Sequence, residues 1–192
     1  MDTKTTIISI LRATERAGIE DLIVWMENNG FFDAPCSSRY HLAEPGGLAK
    51  HSLNVSRVAI GIASELYKKD PQALTFDFVN SLVIASILHD LGKAGQFGKP
   101  NYRMKIIEGD PETVAFETNK DLLYIPHEIR SVVIASRFIE LTEEEHFAIV
   151  YHNGLYGELQ SIKNHETPLY MILHFADMWA SRVIEKEGEN AC

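Results

Sequence analysis

Ser86-Ile87-Leu88-His89-Asp90-Leu91-Gly92-Lys93 sets a histidine and an aspartate side by side at the end of an almost wholly apolar run. From Val79 to Leu91 the residues Val79, Leu82, Val83, Ile84, Ala85, Ile87, Leu88 and Leu91 point in nearly every direction around a helix. Such a helix is buried on all sides rather than amphipathic. A carboxylate in that setting is unfavourable unless it is paired, hydrogen-bonded or bound to a cation. An isolated His-Asp dipeptide reads as a hydrogen-bonded pair closing a core helix. Its company changes the reading: His51 lies in an earlier helical segment, His127 and His152 lie later, and Asp177 lies in the last long helix. Histidine nitrogens and carboxylate oxygens are the usual ligands of zinc, iron and manganese.

Upstream, the periodicity predicts a helix from Thr3 to Ala17, closed by Gly18, and a second from Ile19 to Asn29, with Trp25 in the core. Phe31 to Gly47 is a loop broken by Pro35, Pro45 and Gly46-Gly47. A helix follows from Leu48 to about Lys69, on which His51 shares a stripe with Val55, Val58 and Ile62. The central helix runs from about Phe76 to Leu91, and Gly92 ends it. If the helix continues that far, Lys93 projects from the side of His89 and Asp90, as a cation suited to a helix C-terminus. Gly92, Gly95 and Gly98-Lys99 do not make a phosphate loop, because the spacing sets Lys93 where the first glycine belongs and Pro100 where Ser or Thr is needed.

Tyr102 to Ile107 and Thr113 to Thr118 flank a Gly109-Asp110-Pro111 turn and predict a β-hairpin, suited to a lid or a dimer contact. Pro126-His127-Glu128 opens a helix that should bury Val132, Val133, Ala135, Ser136 and Ile139. Thr142 with Glu145 makes a capping box for the next helix, so the run Glu143 to Glu145 is capping rather than a metal site. His146 lies six residues, about 240° of helix, before His152 and belongs to the surface. Gly154 to Glu166 is a polar loop, and Pro168 starts the final helix, where His174 and Asp177 share a face. His174 is core or a support for the ligands, Trp179 is packing, and Arg182 to Cys192 is a polar fraying end.

The whole chain, residues 1–192, is of ordinary single-domain length: a helical pair at 1–30, then a core at 37–185. Hydrophobic content of 45% with 23% charged residues excludes a disordered chain. No apolar stretch reaches the roughly 18 residues that span a bilayer, and the N-terminus lacks a signal-peptide pattern, so a cytoplasmic protein without a membrane partner is expected. Cys36 and Cys192 form no disulfide framework and lack metal-ligand spacing. A formal net charge of −9 argues against duplex nucleic acid as a partner and favours a small substrate.

Gly46-Gly-Leu-Ala-Lys-His51-Ser-Leu-Asn-Val, then His89-Asp90, then Asp177 resembles the His…His-Asp…Asp pattern of the HD-domain superfamily of metal-dependent phosphohydrolases. His127-Glu-Ile-Arg-Ser, Thr-Glu-Glu-Glu and Tyr-His152-Asn-Gly are similar to the extended pattern that adds two histidines and a second metal. Ser37-Ser38-Arg39-Tyr40-His41 resembles a loop of small phage-type and Firmicute HD proteins. There is some likeness to the exoribonuclease-type HD domain, but the chain departs from two related groups: a single histidine stands at 152 where exoribonuclease-like proteins often carry two, and there is no GYP motif, which weakens a cyclic-dinucleotide reading. The resemblance implies an all-α HD-domain helical bundle with a small β-hairpin insertion.

The resemblance further implies a metal held by His51, His89, Asp90 and Asp177, and a second held by His127 and His152 with Asp90 bridging. The cofactor is then a divalent transition metal, two ions of Fe, Mn, Zn or Ni. Two such ions about 3.5–4 Å apart acidify a bound water and clamp phosphoryl oxygens, so metal-activated hydroxide cleaves a phosphate ester or anhydride. Asp90 and Lys93 are the catalytic candidates. Lys93, Arg130, Tyr40 and His41 are the substrate-binding ones, with Tyr40, Tyr151 or Tyr156 available to stack on a base. A small phosphorylated substrate, a nucleotide, is expected, and a homo-oligomer is compatible with the pattern. The alternatives are a 3'-5' exonuclease-like or cyclic-nucleotide phosphodiesterase activity, a non-catalytic nucleotide or metal sensor, and a helical interaction module with structural histidines.

Overall fold

The computed structural model describes residues 1–107, 110–154, 162 and 164–186. Gly109 in the hairpin turn, Tyr156, most of the polar loop after Gly154 and Cys192 lie outside the described residues. Seven helices are described: α1 (Thr3–Arg12), α2 (Ile19–Asn28), α3 (Gly47–Leu66), α4 (Phe76–Leu88), α5 (His127–Ala135), α6 (Glu143–Tyr151) and α7 (Pro168–Trp179). Between α4 and α5 stand two antiparallel hairpins, β1–β2 (Gly95–Gln96, Lys99–Pro100) and β3–β4 (Tyr102–Ile107, Asp110–Thr118). The chain is an all-α bundle with a small β insertion, as its periodicity and its resemblance predict.

Helix α4 is the centre of the bundle, in contact with α1, α3, α5, α6 and α7. Thr75 starts it by accepting from the Phe78 amide at 3.1 Å. Leu82, Ile84, Ala85, Ile87 and Leu88 are then fully buried, as an apolar helix surrounded on all sides requires. The helix stops at Leu88, three residues earlier than the pattern suggests. His89 is its C-cap, Asp90 leaves helical geometry at φ −103° and ψ 10°, and Leu91–Ala94 tightens into a 3-10 turn. That turn carries Lys93 back over Asp90, its amide donating to the Asp90 carbonyl at 2.9 Å.

Other departures have local causes. Helix α1 ends at Arg12, because the Thr14 hydroxyl takes the Leu11 carbonyl at 2.6 Å. Gly18 is therefore the N-cap of α2 rather than the end of α1; its φ is +83°, and a Cβ there would lie 1.8 Å from the Phe138 carbonyl oxygen. On α5, Val133 (44% exposed) and Ser136 face outward, while Glu128, Arg130 and Ser131 are buried. Trp179 is exposed rather than packed. The segment rejected as a phosphate loop is the two-residue hairpin β1–β2, whose turn residues Phe97 and Gly98 both have positive φ. In β3–β4, Tyr102 pairs with Thr118 and Met104 with Phe116.

The capping box of α6 forms as expected, with Glu145 accepting from the Thr142 amide at 2.9 Å and donating its own amide to Thr142 Oγ1 at 3.1 Å. Glu145 has a further task that the spacing does not disclose. Its fully buried carboxylate takes a two-point ion pair from Arg16 at 2.6 and 2.9 Å, fastening the α1–α2 connection to α6. Glu145→Ala strands that guanidinium and uncaps α6, and is expected to lower unfolding free energy in urea by about 2–4 kcal/mol. Glu143→Ala, on the exposed side of the same turn, is expected to change it by less than about 0.5 kcal/mol.

Candidate metal centre

Five elements deliver six side chains to one point. His51 lies in the second turn of α3, His89 and Asp90 at the end of α4, His127 at the first position of α5, His152 at the C-cap of α6 and Asp177 in the last turn of α7. The Asp90 carboxylate divides the cluster in two. Its Oδ2 lies 3.6 Å from His51 Nε2 and 3.4 Å from His89 Nε2, and Asp177 Oδ1 is 3.2 Å from His51 Nε2. On the other side, Oδ1 lies 3.0 Å from His127 Nε2 and 3.7 Å from His152 Nε2.

The outer nitrogen of every imidazole is held. His89 Nδ1 donates to the Ser86 carbonyl at 2.9 Å and His152 Nδ1 to the Ile149 carbonyl at 2.7 Å. His51 Nδ1 meets Glu185 Oε2 at 2.9 Å, and His127 Nδ1 meets Glu128 Oε2 at 3.1 Å. A carbonyl oxygen can only accept, so Nδ1 carries the proton and Nε2 presents a lone pair inward. The consequence is electrostatic. His51 Nε2 and His89 Nε2 are 3.3 Å apart, His127 Nε2 and His152 Nε2 are 3.4 Å apart, and both pairs face carboxylate oxygens. Lone pairs this close repel unless a cation lies among them. Asp90 Oδ1 is itself buried without a hydrogen-bond donor. His51, His89 and Asp177, and likewise His89, Asp90 and His152, have the mutual spacing of a metal-ligand set.

Without a metal the same demand falls on protons. Burial opposes charge on His51, yet the Cys36 sulfur, Asp177 and Glu185 outweigh it and hold its pKa well above the ordinary value. Burial would raise Asp90, but Lys93 and His89 hold it well below the usual carboxylate range; His51 likewise depresses Asp177 against burial. Burial, with His89 beside it, pushes His152 down to about 3.

One contact sets the distance between the two halves. Gly92 lies directly under α5: a Cβ there would fall 2.2 Å from the His127 carbonyl oxygen and 2.8 Å from Arg130 Cβ. Ser131 closes the joint by accepting from the Gly92 amide at 2.8 Å and offering its hydroxyl proton to the carbonyls of His89 and His127, each at 2.8 Å.

The HD domain family model matches residues 48–178, a span that runs from the start of α3 to the end of α7 and contains all six side chains. The chain belongs to the HD domain family. That family is one of metal-dependent phosphohydrolases. Neither the curated proteins nor the solved structures include a match to it. No helix among the described residues of this HD domain is long and apolar enough to cross a membrane.

The remaining expected residues separate. Lys93 joins the HD centre, Nζ lying 2.6 Å from Asp90 Oδ2, and that carboxylate raises its pKa against burial. A cavity of about 930 Å³ opens over Asp90, Lys93, His152 and Asp177. Tyr40 stands exposed at its rim, whereas His41 is set deeper, 3.3 Å from Cys36 Sγ, and burial pushes it down to about 4. Arg130 does not reach this cavity; its guanidinium is buried under Gly92 and bound to the Leu123 carbonyl and Asn101. His174 is half-buried rather than core and donates to the His152 carbonyl at 2.8 Å. His146 is exposed, as expected.

Two residues of the HD centre escape the sequence reading. Glu185, assigned to a fraying end, is 4% exposed and bridges His51 Nδ1 and Asn54 Nδ2, each at 2.9 Å. It arrives through a π-helical turn, Ala180–Ile184, closed by the Glu185 amide on the Ala180 carbonyl. Cys36, set aside for its spacing, is fully buried 3.9 Å from both Asp90 Oδ2 and Lys93 Nζ, and burial raises its thiol to about 11. The Asn54 spacing from His51 is a visible clue to a shared partner; the return of Glu185 has none.

Gly92→Ala is expected to push α5 away from Asp90 and weaken divalent-metal retention by His127 and His152, while His51, His89 and Asp177 stay together. Elemental analysis beside far-ultraviolet circular dichroism reads this as fewer metals per folded chain. A pH effect follows from the two depressed histidines. In chelator-treated protein the unfolded chain takes up protons on His41 and His152 below about pH 6.5, whereas the folded chain does so only near 4 and 3. Stability should therefore fall with pH in that window, by roughly 3 kcal/mol between pH 7 and 5 in urea titrations. His51, whose pKa is raised in the folded chain, opposes this fall only near pH 7 to 6, where the unfolded chain is still taking up its proton, and adds no slope below that.

Proposed function

We propose that this HD domain is a dinuclear metal-dependent phosphohydrolase acting on a phosphate ester or anhydride of a nucleotide-sized substrate. The observation that carries this reading is the pair of inward-facing Nε2 clusters on opposite oxygens of Asp90. His51, His89, Asp90 and Asp177 would hold one divalent ion, and His127 and His152 the other, with Asp90 shared. When bound, such a pair polarises phosphoryl oxygens and acidifies water.

The chain's own residues supply the rest. Glu185 and the Ser86 and Ile149 carbonyls orient three of the imidazoles and fix their tautomers, while Glu128 stands 3.1 Å from Nδ1 of the fourth, His127. Lys93, kept cationic by Asp90, presents positive charge to the large cavity, where a phosphoryl oxygen would sit. Arg39, Arg182 and Lys186 line the same cavity and suit further phosphates, and exposed Tyr40 suits a base. The volume of about 930 Å³ accommodates a whole nucleotide, since small-molecule sites run to about 1,000 Å³.

The test is metal content of the chain purified without added metal or chelator, with His127→Ala beside it, followed by phosphate release from a panel of nucleotides. Two metals falling toward one in the variant, with metal-dependent release from at least one nucleotide, is the expected result. Metal retained with saturable nucleotide binding and no product would make the protein a sensor. No metal retained, and none regained on adding manganese, iron or zinc, would return the histidines to a structural role.

A further inference from the structure

A second cavity, of about 290 Å³, opens on the hairpin side of Lys93 and His127. It is lined by Lys93, Lys120, Arg130, Asn101, Asn119 and Tyr102 among others, and none of its lining residues is a carboxylate. In this it differs from the metal-facing cavity, where Asp90, Asp177, Glu44 and Glu185 interleave with the cations.

Arg130 is the decisive residue. It is 3% exposed, and among the described residues its terminal nitrogens donate only to neutral acceptors: Asn101 Oδ1 at 3.0 Å, the Leu123 carbonyl at 3.1 Å and the Gly92 carbonyl at 3.4 Å. Its buried Nε–H has no acceptor among the described residues. A guanidinium in this state keeps its desolvation cost without an opposite charge to offset it. Burial lowers its pKa, and no carboxylate raises it. The neighbouring Lys93 is already matched to Asp90, whereas Arg130 and Lys120 face a space without anionic groups.

We propose that this cavity is a binding site for a tetrahedral oxyanion of phosphate size, with Arg130 and Lys120 as its cationic walls and the start of β3 and end of β4 as its side. The lining, cationic and free of carboxylates, points to an anion. The volume holds roughly ten waters, enough for an oxyanion and part of its hydration shell. The two cavities share Lys93, so the site is suited to receive phosphate leaving the metal centre. That role rests on the hydrolase reading; the oxyanion site does not.

Titrating orthophosphate into the full chain, as purified and after chelation, while following arginine Nε–H resonances by proton–nitrogen correlation spectroscopy tests the site. The Arg130 signal is assigned by its disappearance in Arg130→Lys. Saturable movement of that signal in both forms is expected. It should persist in His51→Ala and weaken by about fivefold in Lys120→Glu, the reversal of one exposed charge that leaves the fold intact. An unmoved Arg130 signal overturns the site. So does a shift that requires metal, vanishes in His51→Ala and ignores Lys120→Glu, because the phosphate is then on the metal centre. Phosphate binding is read without turnover, so an inactive protein that still moves Arg130 would separate this site from the hydrolase reading.

Discussion

A carboxylate buried at the end of an apolar helix has to be surrounded by positive charge, and the architecture around Asp90 meets that demand from every direction. Lys93 comes from the following 3-10 turn, His89 from its own helix end, His51 from α3, His127 from α5 and His152 from α6. Because four of these are imidazoles, and hydrogen bonds engage the outer nitrogens of His51, His89 and His152, the rings offer lone pairs rather than protons to the centre. What would be a stable ion-pair network with lysines or arginines is here a set of donors that calls for metal ions.

Precision in such a cluster comes from its supports. Two histidines sit at helix C-caps, where their Nδ1 atoms reach carbonyls three residues back. Capping thus satisfies helix-end carbonyls and aims the rings at once. Gly92 and Ser131 fix how closely α5 approaches the end of α4, and therefore how far His127 stands from Asp90. Glu185 completes His51 from beyond α7, using a wider turn to reach inward. None of these supports is metal-facing, yet each sets a ligand's direction.

The electrostatic field is uneven at short range. A chain of formal net charge −9 concentrates Lys93, Arg39 and Arg182 beside its acidic centre on one side and Arg130 with Lys120 on the other. An acidic protein can thus hold locally cationic pockets despite its net charge. The hairpin, first read as a lid or dimer contact, contributes Tyr102 and Thr118 to the wall of the second cavity.

Much of this was legible in the chain itself. An apolar run ending in His-Asp, histidines on helical stripes and the Thr142–Glu145 capping box are local patterns, and local patterns survive without coordinates because helix periodicity and capping are set by neighbours within a turn or two. The helical bundle, the hairpin and the convergence of His51, His89, Asp90, His127, His152 and Asp177 followed from those patterns together with the family resemblance. What only the tertiary structure decided depends on contacts between distant segments. Arg16 finds Glu145 across 129 positions, Glu185 finds His51 across 134, and Cys36 comes to lie beside Asp90 across 54. Arg130, one turn from His127, turns away from the large cavity because Gly92 brings α5 so close that its guanidinium is trapped beneath the 3-10 turn. Sequence spacing states which side of a helix a residue occupies; which cavity that side faces is set by how closely the helices pack.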